Sequence, residues 1–438
     1  MKSSLHPMLL VLIIIGMMAV LTKCQSESVD NPADHPTSES TTALPMEMAL
    51  TPEGEYPPPG FEGKKWADIV NMARGQTVNW YMWGGSQDTN TWVTDYVARQ
   101  LRDRYGVTLN AVFRNIVDSV SQVRQERAAG QNTHGAVDLI WINGENFQAM
   151  REEQLLYGPW SLYLPNTVFV DWQDEIIARD FSLPVDGYES PYGKAQIVFA
   201  YNQAKVESPP TTIPGLFEWI KANPGKFTYP ALPDFTGTAF VCQICYWTAG
   251  RYDVFQAEYD QSKADQYLPA CYEALNGIEP FLWNQGKTYP ISATEQEELF
   301  KAGEIFFDID YQTANTSKRV TGGIYPPLTR TFVFESGTLA NTHYVAIPYN
   351  SPHKAGAMVV ANFLLSLEAQ LDKITKWGDS PAVSPMLLPM EWRQKFNQLP
   401  RGAATLPPGV LAEHRLPEPR PEWIEAIERG WLQHVAND

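Results

Sequence analysis

Four short stretches of this chain carry polar and aromatic side chains at spacings suited to holding a small molecule. The first is Trp83-Gly84-Gly85-Ser86, where glycines let backbone approach a guest and a hydroxyl or N–H can bond to it. The second, Asn143-Gly144-Glu145-Asn146, sets a carboxylate between amides, a combination that accepts from an ammonium or a hydroxyl. The third is Asp234-Phe235-Thr236-Gly237-Thr238, with Thr236 and Thr238 as hydroxyl donors beside an acidic group. In the fourth, Asp308-Ile309-Asp310-Tyr311, two carboxylates two residues apart on an extended run share a face, so they can neutralise a cation or bind a sugar hydroxyl. Tyr192, next to Gly193, adds one more ring, and with 14 Trp and 20 Tyr in the chain an aromatic wall for a flat or cationic guest is available. Ordinary structure competes for the same residues: a tight turn at 83–86, a helix-start cap at Glu145 and Asn146, packing at Tyr192, and a solvated strand end at Asp308 and Asp310.

The surrounding pattern places these stretches. Residues 77–83 alternate as a strand, and 91–105 carry Trp92, Val93, Tyr96, Val97 and Leu101 at helical spacing until Gly106. A second strand over 107–113 leads to Asp118, expected as the cap of a helix ending at Gly130, and a third strand covers 137–142. Strands alternating with helices imply a parallel sheet whose ligand edge is the carboxyl ends of the strands, which sets 83–86 and 143–146 on one rim. Further on, 195–202 reads as one apolar strand, 227–230 as a short strand, and 304–311 and 342–348 as strands. The pattern also gives a helix from 239 capped by Thr236 or Thr238, another opened by a capping box at 294–297, and one long helix over 354–370. A first domain, an excursion and a return give two lobes: 64–198 with 331–438, and 199–330. A cleft lies between such lobes.

The formal net charge of -17 excludes a nucleic-acid groove, which needs clustered Lys and Arg. Lys2 and the apolar run 8–21 form a secretory signal over 1–24, and 25–63, rich in Ser, Thr, Pro and Glu, reads as a disordered tether. Cys24 sits where a bacterial lipoprotein is acylated, although Lys23 stands where a small residue is usual; an uncleaved anchor or a cut nearby are the alternatives. Export permits a disulfide between Cys271 and either Cys242 or Cys245. One close Cys pair without a neighbouring His does not make a zinc site, and no metal or cofactor is expected.

On the residues 83–86, 137–147, 234–238 and 344–366, the chain resembles the extracytoplasmic solute-binding proteins of ABC importers, with the type II periplasmic-binding fold, from about Gly75 to the end. Within that family it is similar to a branch described as thiamine-like transport components. The resemblance implies a monomer that captures a small molecule, cationic or thiamine-like, between two α/β lobes and delivers it to a membrane permease and its ATPase. It also implies a periplasmic or cell-surface location, with membrane contact only through an N-terminal anchor, and no catalytic residues. An exported carboxylate-dependent hydrolase acting on carbohydrate is the competing reading, with Glu145 and Asp308 or Asp310 as an acid/base pair. No serine elbow, phosphate loop or zinc helix supports it, and the adjacent tyrosines of a ferric-ion binder are absent.

Overall fold

The structure is a computed structural model that describes residues 57–436, apart from position 379. The export signal, Cys24 and most of the expected tether lie outside the described residues. Among the described residues no helix is long and apolar enough to cross a membrane.

In chain order the strands are β1 (Thr77–Met82), β2 (Thr108–Phe113), β3 (Leu139–Ile142), β4 (Arg179–Asp180), β5 (Leu183–Pro184), β6 (Glu189–Gln196), β7 (Val198–Asn202), β8 (Phe307–Asp310), β9 (Thr329–Phe332), β10 (Thr338–Ala346) and β11 (Arg415–Pro417). The first lobe is built on a six-stranded sheet in which β1 runs parallel to β2 and β3, while β10 runs antiparallel to β3 and β6. The period-2 pattern of β1 turns Val78, Trp80 and Met82 inward and leaves Thr77, Asn79 and Tyr81 partly exposed. On one face of this sheet Trp80, Trp92 and Met358 pack together, and on the other Ile140, Ile142 and Tyr344 do. Burying each such side chain contributes roughly 1.5–3 kcal/mol.

The helix expected over 91–105 reaches back to Gln87 and passes through a π-helical stretch, Trp92–Val97, before Gly106 ends it with φ 67°. The next helix, Ile116–Ala128, is capped by Asn115, whose Oδ1 accepts from the Val117 N–H at 2.9 Å; Asp118 lies in its first turn instead.

The apolar run 195–202 is two strands rather than one. β6 belongs to the first sheet and β7 is the centre of a three-stranded antiparallel sheet in the second lobe, β8-β7-β9. The chain changes sheets at Ile197, whose N–H donates to the Leu339 carbonyl, and it returns between β9 and β10. Both cores demand apolar side chains here, so nothing in the pattern marks the switch. Residues 227–230 form no ladder, because the Phe227 carbonyl accepts from the Trp283 N–H and the Thr228 carbonyl from the Gln296 amide. The helix expected over 354–370 is two, Lys354–Leu364 and Leu367–Trp377, divided where Ser366 caps the second. The helix expected to open at 294–297 starts two residues earlier, where Ser292 Oγ caps it by accepting from the Glu295 N–H, and Glu295 accepts from the Ile291 N–H rather than closing a capping box.

The end of the chain also departs from the sequence division. β10 and β11 join the first sheet, but the helix Pro421–His434 packs Trp423, Ile427 and Trp431 into the second lobe's core. Of the two pairings open to Cys271, the structure has Cys245–Cys271, which ties the helix Phe235–Ala249 to Gln261–Asn276; Cys242 is a buried free thiol.

Candidate functional site

A cleft of about 890 Å³ lies between the lobes, a size suited to a small organic ligand. From the first lobe Trp83, Gly85, Ser86, Asn143, Glu145, Asn146 and Tyr192 line it; from the second, Asp234, Thr236, Thr238, Asp308, Asp310 and Tyr311 do. Gly84 does not. A side chain there would lie 2.8 Å from Phe113 Cβ, so this glycine serves the close approach of the β1 and β2 ends.

The first wall is aromatic. Trp83, 49% exposed, follows β1 and stacks on Trp141 of β3 at 6.3 Å and 29°. Its indole lies across Gly85, where an added Cβ would come within 2.0 Å of the ring, so only glycine permits that posture. Trp141 in turn meets His343 edge-on, and His343 leans on Tyr192, which is 2% exposed and packs edge-on against Trp80. Tyr192 is therefore largely a core residue with an edge at the cleft. Ser86 Oγ caps the helix Gln87–Thr91 by accepting from the Thr89 N–H. At the third strand end, the Gly144 N–H donates to Asp180 at 2.7 Å and is committed to the fold, whereas Glu145 stays exposed in the first helical turn.

The second wall is acidic and heavily hydrogen-bonded. Asp234, not Thr236 or Thr238, caps Phe235–Ala249: its Oδ1 accepts from the Thr236 and Gly237 N–H groups and its Oδ2 from the Ala293 N–H. That carboxylate joins two helix starts. Thr238 Oγ1 donates to Glu428, and the Tyr311 hydroxyl donates to Glu418 while its ring lies 4.8 Å from Phe235. Asp310 accepts from the Gln312 N–H, the Asn315 amide and Arg319, and Arg319 also pairs with Glu297 at 2.6 Å. Asp308, 2% exposed, accepts from the Tyr325 hydroxyl through Oδ2 at 2.5 Å. Burial pushes its carboxyl up to about 7 against the lowering effect of that hydrogen bond, and burial does the same to Glu418, also to about 7. Glu428 is raised by burial first and by the nearby charges of Glu145 and Glu425 next.

Trp141, Phe235, Arg319, Glu297, Glu418, Glu425 and Glu428 also line the cleft, and the sequence pattern gives none of them a ligand role. The last three reach the cleft from the C-terminal segment. Their signal was the acidic spacing of Glu425 and Glu428 on one helix face. Among the described residues, nine Asp or Glu line the cleft (Asp88, Glu145, Asp234, Glu297, Asp308, Asp310, Glu418, Glu425 and Glu428) against Arg319 as the single Arg or Lys. Such a cavity repels anions and concentrates cations.

Residues 96–398 match the model of a family described as bacterial extracellular solute-binding protein. The chain is 37% identical over 370 residues to Protein YnjB of Escherichia coli (strain K12), spanning 84% of this chain and 93% of that one. Among solved structures, it is similar in fold to an ABC transporter from Clostridium perfringens (TM-score 0.58, 16% identity, 82% of this chain and 98% of that one). It is likewise similar to a spermidine/putrescine ABC transporter substrate-binding protein, PotD, from Streptococcus pneumoniae (TM-score 0.56, 15% identity, 82% and 98%). The two-lobed type II solute-binding fold accounts for both likenesses.

Proposed function

We propose a ligand class for a chain that belongs to the bacterial extracellular solute-binding proteins and serves as the solute-binding component of an ABC importer: a small organic cation with a flat apolar part. The observation that carries this is the meeting of a stacked indole pair on one lobe, Trp83 exposed and Trp141 half-buried, with an acidic wall on the other. Indole faces attract a cation through their quadrupole, and carboxylates fix its position. Neither wall alone encloses a guest, so capture requires the lobes to approach with the guest between them, as hinged closure does. Thiamine, a flat monocation, fits this description and agrees with the branch the sequence resembles.

Transport by this family needs no turnover, and the carboxylates of β8 suit holding better than hydrolysis. Asp310 is locked by Arg319 and Asp308 is held from behind by Tyr325. We further propose that the exported chain acts as a monomer tethered through its N-terminal segment, with Cys24 as the acylation site, which the mass of the mature protein and its sedimentation would test.

The function is tested by thermal unfolding with thiamine, other organic ammonium compounds, and neutral and anionic controls, followed by recovery of each compound. Cations should raise the unfolding midpoint and be recovered unchanged, because a ligand that binds only the folded state stabilises it. Consumption of the compound would favour the hydrolase instead.

A further inference from the structure

We propose that Asp308 anchors one protonated N–H of the captured cation, and that Tyr325 is the positioning residue that leaves a single carboxylate oxygen for it. This deepens, and rests on, the cation reading of the cleft.

The ground is an unmet hydrogen bond. Asp308 lines the cleft, is 2% exposed, and has Oδ2 taken by the Tyr325 hydroxyl, yet its Oδ1 has no partner among the described residues. It is the one buried side-chain oxygen among the described lining residues left in that condition. Two residues along the same strand, Asp310 shows the opposite state, with donors on both oxygens. A buried carboxylate oxygen without a donor is costly, so a site that keeps one is prepared for a donor from outside.

The surrounding groups narrow what that donor is. Arg319 is bound to Asp310 and Glu297, so its guanidinium is committed and is not bonded to Asp308. With one oxygen open, the site accepts one N–H rather than the fork of a guanidinium. A cation without an N–H, such as a quaternary ammonium, can satisfy the charge but not the hydrogen bond. The ligand therefore carries its charge or an adjoining amino group as an N–H, while its flat part lies against Trp83 and Trp141. The groups facing Asp308 are Tyr325, Asp310 on its own strand, Glu297 from the helix Ala293–Ala302 and Arg319 from the helix Asn315–Thr321; β7 sets Ala200 opposite it. Burial keeps a proton on this carboxyl up to about pH 7, and an incoming cation must displace it.

The test is calorimetry of the whole exported chain with phenethylammonium, its N,N,N-trimethyl analogue and 2-phenylethanol, at pH 6 and pH 8. Wild-type protein should bind phenethylammonium on the order of 30-fold or more tighter than the trimethyl compound, the loss of one charge-assisted hydrogen bond in a buried site. Its affinity should rise from pH 6 to pH 8. Asp308→Asn should weaken phenethylammonium on the order of 100-fold, bring the two cations level and flatten the pH profile. Tyr325→Phe should shift that profile while keeping the preference for the N–H. Equal binding of the two cations by wild-type protein, which needs no variant, would overturn the anchor and leave cation capture standing, as would Asp308→Asn binding phenethylammonium within about threefold of wild type. Binding of neither cation at millimolar concentration, with or without binding of 2-phenylethanol, would overturn the cation reading and the anchor together.

Discussion

The two walls of the cleft solve different problems. The first lobe presents rings with little commitment elsewhere: Trp83 is 49% exposed, and its posture depends on a stack with Trp141 and on Gly85 beneath it. The second presents carboxylates already wired into the fold, through Tyr325, Arg319, Asn315, Thr238 and the helix starts at Asp234. Rings select shape and can be changed cheaply. Buried charges select sign, and disturbing them disturbs the lobe that holds them.

The largest expected effect sharpens this contrast through pH. Asp308 and Glu418 hold their protons up to about 7 in the folded chain, whereas an unfolded carboxylate releases its proton near 4. Between these values the folded state binds more protons than the unfolded state, so stability falls as pH rises, by several kcal/mol in all. Urea midpoints should accordingly be higher at pH 5 than at pH 7.5, and Asp308→Asn should remove part of the difference. Next in size, Arg319→Ala strands Asp310 and Glu297 without their cation and should cost about 4 kcal/mol in the same assay. A smaller loss would mean the acidic wall is not prewired as described.

On the other wall, Trp83→Ala should lower affinity for an aromatic cation about tenfold while changing stability by less than about 0.5 kcal/mol, because an exposed ring stacks on a guest more than on the core. Stability loss comparable to Arg319→Ala would erase the distinction between the walls. The smallest effect belongs to the link between them. Lys318 and Asp88 approach at 3.6 Å with side chains 30% and 53% exposed, so Asp88→Asn should move the urea midpoint by less than about 0.5 kcal/mol equivalent.

Much of the first wall was legible in the sequence and much of the second was not. Strand ends announce themselves, because an alternating run that breaks at Trp83-Gly84-Gly85-Ser86 or Asn143-Gly144-Glu145-Asn146 must put those residues on the ligand edge of a parallel sheet. Trp141 escaped because the short β3 strand is apolar on both faces, and period alone does not say which face meets the cleft. The acidic wall depends on partners outside its own strand and helix, from 9 to 190 positions along the chain. Nothing local links Asp308 to Tyr325, Asp310 to Arg319, or Thr238 to Glu428, the last 190 positions apart. Asp234 lines the cleft, but an acid at a strand-to-helix opening is also an N-cap signature, and here Oδ1 caps that helix while Oδ2 accepts from the Ala293 N–H at the start of another. Ser366 was the missed sign that the helix over 354–370 divides.

Whether the lobes hold an organic cation bearing an N–H is tested by native mass spectrometry of the protein purified without added ligand from its own cells. One small molecule per chain, with a positive charge and at least one N–H, should be present in wild-type protein and lost from Asp308→Asn. A neutral or anionic molecule retained at the same stoichiometry, or a cation retained equally by the variant, would contradict this expectation.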